Sequence, residues 1–229
     1  LDEFTNRTDP KVADATPLPP QLLSPADNAH VAEVYPALRV TNSPTQGGDK
    51  GLDYWFELYA DEAMSKLLAK SAAISSGSNS TEWVIKADQL EAGAELYDNH
   101  RYYWRVKVSN DKGSSEWLNG RFFINTANDA PSAPVLLSPT PMGLVADTRP
   151  QFRFNNSLDL DEDPLTYRVR VFGEDDDDFS QPVAEVSGLL PGAGGVTSWQ
   201  SPVALQEDRF YFWLVEARDP NGGVTVSEP

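Results

Sequence analysis

In the second half of the chain, Asp159, Asp161 and Asp163 alternate along one short segment. Carboxylates at every second position can turn toward a single point, and a hard cation such as calcium takes about six to eight oxygen ligands. Asp219 and Asn221 stand in a turn-forming stretch, Asp219 to Gly223, and are candidates for further oxygens. The segment has neither the glycine nor the glutamate of a helix–loop–helix calcium loop. The competing reading is a solvated acidic turn that binds nothing. The first half offers only Asp49 and Asp53 at the matching place, too few ligands for a metal. The run Asp175 to Asp178, beside Glu174, reads as a solvated hairpin tip, because adjacent like charges repel.

A second set mixes rings and cations. Trp55, Tyr59, Tyr103, Arg105 and Lys107 occupy alternate positions in two stretches, and Arg168, Arg170, Phe172 and Phe212 hold the matching places later in the chain. Such residues can stack on one another, each pair worth about 0.5–1 kcal/mol when exposed. They can equally dock a protein partner, a copy of the chain or a surface polysaccharide.

The groups that catalysis needs are sparse. The chain has no cysteine, which removes disulfides, thiolate metal sites and cysteine nucleophiles. His30 and His100 stand apart without motif context, and no zinc-protease, serine-hydrolase or phosphate-loop pattern occurs. Two carboxylates alone can hydrolyse a glycoside, but only in a cleft that small sandwiches seldom form. The expectation is a non-catalytic protein with no obligatory cofactor; calcium is the one candidate.

Period-two alternation identifies the elements that must position these side chains. Tyr54, Phe56 and Leu58 alternate with Trp55, Glu57 and Tyr59; Tyr102, Trp104, Val106 and Val108 alternate with Tyr103, Arg105 and Lys107. Tyr167, Val169 and Val171 do the same against Arg168, Arg170 and Phe172. The whole pattern is written twice. Leu22-Leu23-Ser24-Pro25 returns as Leu136-Leu137-Ser138-Pro139, an offset of 114, and the Tyr102 strand returns from Tyr211, an offset of 109. Drifting offsets are what loop insertions produce. No stretch has a convincing helical period, and Glu62 to Ala73 reads as an edge strand entered by a turn at Asp61.

About seven short strands per hundred residues predict an all-β sandwich. The late strand, a leucine followed six residues on by tyrosine and then by alternating apolar residues (Leu96 or Leu90, then Tyr102, Trp104, Val106; Leu205, Tyr211, Trp213, Val215), resembles the fibronectin type III family. The resemblance implies two tandem immunoglobulin-like sandwiches, each with a tyrosine whose hydroxyl bonds to nearby backbone. The family's usual tryptophan on the second strand is missing: Leu38, Val40, Phe152 and Phe154 stand there, and the bulk sits at Trp104 and Trp213. The Asp159 segment looks like acidic segments of calcium-rich bacterial adhesin modules, which implies a secreted or surface location.

The expected division is an extended segment 1–17, a first sandwich 18–127 and a second 128–229 that lacks a counterpart to Phe122–Asn125. Asn125 to Pro134, with two prolines, reads as a short semi-rigid spacer between units of an elongated rod. Leu1, Phe4, Thr5 and Asn6 look like the tail of a last strand, and are candidates to complete a neighbouring sandwich by strand exchange. Asn6, Asn79 and Asn155 begin glycosylation sequons.

With 35 acidic against 18 basic residues, the net charge of −17 repels phosphate backbones and argues against nucleic acid. No run of about eighteen apolar residues suggests membrane insertion. The function expected is an extracellular structural or adhesive module of a surface array or fibre, working through strand edges and the aromatic–cation face. The alternative is a carbohydrate- or protein-binding accessory module of a secreted enzyme.

Overall fold

The computed structural model describes residues 16–44 and 51–228. Contacts divide the chain into two units, Leu1–Ala127 and Asn128–Pro229. The strand-exchange candidates Leu1, Phe4, Thr5 and Asn6 lie outside the described residues, as does Asp49.

The first unit contains β1 (Leu22–Ser24), β2 (Ala29–Val31), β3 (Ala37–Thr41), β4 (Asp53–Tyr59), β5 (Leu67–Lys70), β6 (Ile74–Ser75), β7 (Ser80–Val84), β8 (His100–Asn110), β9 (Gly113–Ser114) and β10 (Leu118–Ile124). One sheet runs β1-β3-β7; the other runs β2-β10-β8-β4-β5, with β6 on β4 and β9 on β8. The second unit contains β11 (Val135–Ser138), β12 (Gln151–Asn155), β13 (Thr166–Gly173), β14 (Ala184–Leu189), β15 (Val196–Gln200), β16 (Tyr211–Arg218) and β17 (Val224–Val226). Its sheets run β11-β12-β15 and β14-β13-β16-β17. The only helical turns among the described residues are single 3-10 turns, Ala87–Gln89 and Ala193–Gly195.

Each unit buries the inward set of both sheets in one core, which makes it a sandwich. Leu38, Val40 and Trp83 of one sheet meet Tyr54, Phe56, Leu58, Tyr102 and Trp104 of the other. In the second unit Phe152 and Phe154 meet Tyr167, Val169, Val171, Trp213 and Val215. Each such side chain, taken from water, contributes about 1.5–3 kcal/mol. The missing second-strand tryptophan is supplied from the neighbouring strand: Trp83 lies 6.2 Å from Phe56, and Trp199 stacks at 5.6 Å on Phe152.

The repeat extends to the polar atoms. Tyr102 Oη accepts the Tyr97 N–H at 2.7 Å, and Tyr211 Oη accepts that of Gln206 at 2.9 Å. A second tyrosine pair closes the opposite side: Tyr54 Oη accepts the Ser43 N–H and Tyr167 Oη that of Ser157, both at 2.7 Å. Asn42 receives the Thr81 hydroxyl and donates to the Gly77 carbonyl; Asn156 does the same with Thr197 and Gly192. Asp61 caps the turn before β5 through the N–H groups of Ser65 and Lys66, as Asp176 caps its turn through Ser180 and Gln181. These bonds satisfy backbone groups at strand ends that would be costly to bury unpaired.

The segment Asn125 to Pro134 bonds to each unit at its ends: Asn125 N–H binds the Val31 carbonyl and Thr126 binds the Asp98 carboxylate, within the first unit. Asn128, Asp129 and Ser132 bind Asp219, Asp161 and Leu158, within the second. Of the two histidines, His30 lies on β2 and His100 opens β8.

Candidate metal centre

The β12–β13 connection folds Asp159, Asp161 and Asp163 together, so that one oxygen of each lies within 4.8 Å of the others. Two features of the chain make the turn. Asp159 Oδ1 accepts the Asp161 N–H at 2.9 Å and the Asp163 N–H at 3.3 Å. Glu162 adopts a left-handed backbone, φ 61°, which reverses the chain between Asp161 and Asp163.

Burial makes the cluster electrostatically demanding. Asp161 is fully buried, and its Oδ2 accepts the Asp129 N–H at 2.6 Å. Asp159 Oδ2 is buried with no hydrogen-bond partner. Burial pushes the Asp159 carboxyl above its usual value, and the neighbouring Asp161 and Asp163 charges add to the effect, against the two N–H bonds that pull it down. A buried carboxylate oxygen with no donor is costly unless something positive meets it.

The arrangement fits a hard cation. Calcium sits about 2.3–2.6 Å from each oxygen, so two of its ligands stand at most roughly 5 Å apart, a span that accommodates the trio's oxygens. Magnesium, with bonds of about 2.0–2.1 Å, demands a tighter octahedral set, and zinc prefers nitrogen and sulfur.

Of the five residues with candidate ligand oxygens, three converge and two do other work. Asn221 reaches the rim, its Nδ2 donating to Asp163 Oδ2 at 2.6 Å. Asp219 holds its own turn instead: its carboxylate accepts N–H groups of Asn221 and Gly223 and the Asn128 amide. Gly223 suits this turn, since a Cβ would fall 2.9 Å from the backbone Cα of Ala130 and would also push aside Asp219 Oδ2. Burial raises the Asp219 carboxyl, but the bonds from Asn128, Gly223, Asn221 and Gly222 outweigh it and leave the group below its ordinary value. Asn128 and Asp129 were not foreseen in the site. They come from the segment entering the unit, where strand periodicity is silent.

The aromatic–cation face is largely consumed within each unit. Arg105 bonds Glu57 at 2.6 Å, and Arg105 and Lys107 stack at 4.3 and 4.8 Å on Trp117, a ring not counted in the candidate set. Arg168 pairs with Glu185 at 2.7 Å, and Arg170 with Glu216 at 2.5 Å. Trp55 stays 39 % exposed, with Nε1 on the Ser109 hydroxyl, and Tyr103 is half-buried.

Tyr59 and Phe172, expected to point outward, are buried. Tyr59 lies beneath Arg105 and donates to Glu57; burial and that bond push its phenol up to about 12. Phe172 lies edge-on to Phe179, 5.2 Å away. The exposed edge of Asp175 to Asp178 agrees with a solvated tip, although Asp176 is partly buried as a turn cap.

No family model and no curated protein matches the chain. Solved structures that align with it include the FN1–FN3 domains of chicken CNTN1 (13 % identity, TM-score 0.33, covering 94 % of this chain and 66 % of that one). A second is an alpha-L-rhamnosidase from Dictyoglumus thermophilum (12 %, TM-score 0.40, 95 % and 29 %), and a third a set of titin domains (12 %, TM-score 0.39, 93 % and 65 %). The chain thus spans less than two thirds of each. At this identity the likeness concerns fold alone. Among the described residues no helix is long and apolar enough to cross a membrane.

Proposed function

We propose that the chain is a non-catalytic extracellular module of structural or adhesive kind, whose second sandwich takes up calcium at Asp159, Asp161 and Asp163. The observation that carries the metal reading is the buried, partnerless Asp159 Oδ2 inside a trio of carboxylates. A site with three acidic ligands and one open side is a weak one, in the range of about 10⁻⁴–10⁻³ M that suits extracellular modules. The net charge of −17 raises the local cation concentration. The stacked and paired cations leave little free charge on the sheet faces, so contact with partners falls to sheet edges.

Calorimetric titration with calcium tests the metal reading. Saturable heat is expected, with a rise in the unfolding temperature of the second unit and none in the first. At ten times Kd the linkage is worth about 1.4 kcal/mol, or roughly 6–11 °C for a domain of this size. No heat and no shift up to ~10 mM calcium overturns the assignment.

A further inference from the structure

We infer that the groove between the start of β14 and the β15–β16 connection docks an extended segment of a partner polypeptide, one carrying a leucine-sized apolar residue flanked by lysine or arginine. The inference rests on reading the chain as a non-catalytic contact module and not on the cation, so a peptide titration in chelator can fail where the calcium titration succeeds.

The first unit shows how this place is filled. β5 is the last strand of its sheet, and the β7–β8 connection folds back over its open edge. Leu90 forms a bridge with Ala69, and the Glu91 N–H binds the Leu68 carbonyl at 2.7 Å. Leu68 is thereby covered, 4 % exposed, and Leu90 packs against the core.

The second unit has the same edge without the cover. Leu58 lies opposite Ala69, and its counterpart Val171 lies opposite Ala184. β14 therefore stands where β5 does, with Val183, just before it, in the place of Leu68. The connection that would cover it is shorter. Trp83 and Trp199 hold matching positions on β7 and β15. Nineteen positions lead from Trp83 to Tyr102, but only twelve from Trp199 to Tyr211. Among the described residues no bridge joins this connection to β14, and Val183 is 44 % exposed. An open cavity of about 450 Å³ remains, walled by Val183 on one side and by Val203 and Leu205 on the other. Ligand sites run from about 300 to 1,000 Å³, and an unpaired strand edge beside apolar walls is a template for an added peptide segment.

The charge of the groove is reversed between the units. β5 is flanked by Lys66 and Lys70, and the segment it takes carries Asp88 and Glu91. Gln181 and Glu185 hold the lysine positions in the second unit, and Asp175 and Asp176 stand on the cavity wall. Arg209, also on the wall, is already paired with Glu174 at 2.7 Å and with Asp175. The occupant that suits this rim is apolar at its centre and basic beside it.

The test titrates the intact chain, in chelator, with a synthetic peptide of the sequence Lys86–Ala94 carrying Asp88→Lys and Glu91→Lys, and follows backbone amides by NMR. Saturable shifts are expected at Val183, Ala184 and Leu205, with a Kd below about 1 mM, while Leu68 and Ala69 stay unmoved. The same peptide with Leu90→Asp added, the unsubstituted acidic peptide, and the chain variant Val183→Lys should each lower the affinity at least about tenfold. Val183 is exposed, and an otherwise unchanged amide spectrum verifies that its variant is folded. The inference is overturned by unmoved Val183 and Ala184 amides in ~5 mM peptide, or by undiminished binding in any of the three controls. Saturable shifts of the same amides by maltotriose and not by the peptide would overturn it in favour of a sugar site. Concentration-dependent shifts of these amides in the chain alone would overturn it in favour of a second copy as occupant.

Discussion

Replacing Asp159 with asparagine should stabilise the second unit in chelator and blunt its response to calcium. The change is nearly isosteric. Asparagine keeps an oxygen for the Asp161 and Asp163 N–H groups and places an amide where Asp159 Oδ2 has no partner. It also removes two like-charge contacts. With the oxygens up to 4.8 Å apart, each contact costs about 3.5 kcal/mol at an effective dielectric of 20. Solvent screening at the half-exposed rim reduces this to a net gain of roughly 1–3 kcal/mol. For a domain of about 100 residues that is a rise of roughly 4–24 °C in chelator. Saturating calcium should then move the variant less than the parent, so the two rank in opposite order of calcium response. Acid should act like the substitution. Because burial raises the folded-state value of Asp159 above the unfolded one, its penalty is fully present above the folded value. The penalty disappears as pH falls toward the unfolded value. Scanning calorimetry on both proteins, with chelator and with calcium, decides the matter. A variant less stable than the parent in chelator would refute the idea that the trio is repulsive without an ion.

Two further outcomes follow from the backbone and the buried hydroxyls. Glu162→Gly should raise stability in chelator by roughly 0.5–1 kcal/mol: a left-handed backbone costs an L residue about 1–2 kcal/mol, against about 0.5–1 kcal/mol for the looser unfolded glycine chain. A lower urea midpoint would mean that the Glu162 side chain holds the loop. Tyr167→Phe strands the buried Ser157 N–H and should cost about 1–3 kcal/mol, whereas Tyr211→Phe, whose Gln206 partner is exposed, should cost about 0.5–1.5 kcal/mol. Urea unfolding monitored by tryptophan fluorescence checks the order, and the reverse order would refute the role given to the inner tyrosine.

Alternation was enough to bury Tyr54, Phe56, Leu58, Tyr167, Val169 and Val171, because a strand with one wet face allows only one register. It failed one residue later, at Tyr59 and Phe172, the same place in both repeats. There β4 slips register against β5, and in the second unit Phe179 folds over the strand end from the turn. What covers a strand end comes from a loop, and loop approach is invisible to periodicity. The same limit hid Trp117 and Asn128. It also made Asp219 look like a ligand: an aspartate two residues before an asparagine and four before a glycine is also a turn that bonds itself. The polar network was more legible than the rings. Asn42, Ser43 and Thr81 recur as Asn156, Ser157 and Thr197 at offsets of 114 to 116, each making the same bonds. Against that constancy the acids stand out. The second unit follows its Asn156–Ser157 pair with four acids in the five residues 159–163 (Asp159, Asp161, Glu162 and Asp163), and the first follows Asn42–Ser43 with no acid before Asp49. One oxygen of Asp159 and one of Asp161 hold backbone N–H groups of the turn and of the entering segment, but those bonds leave Asp159 Oδ2 without a partner. Crowding charge into a buried turn carries a cost that the sister repeat does not bear, which is why the calcium titration is the deciding measurement for this loop.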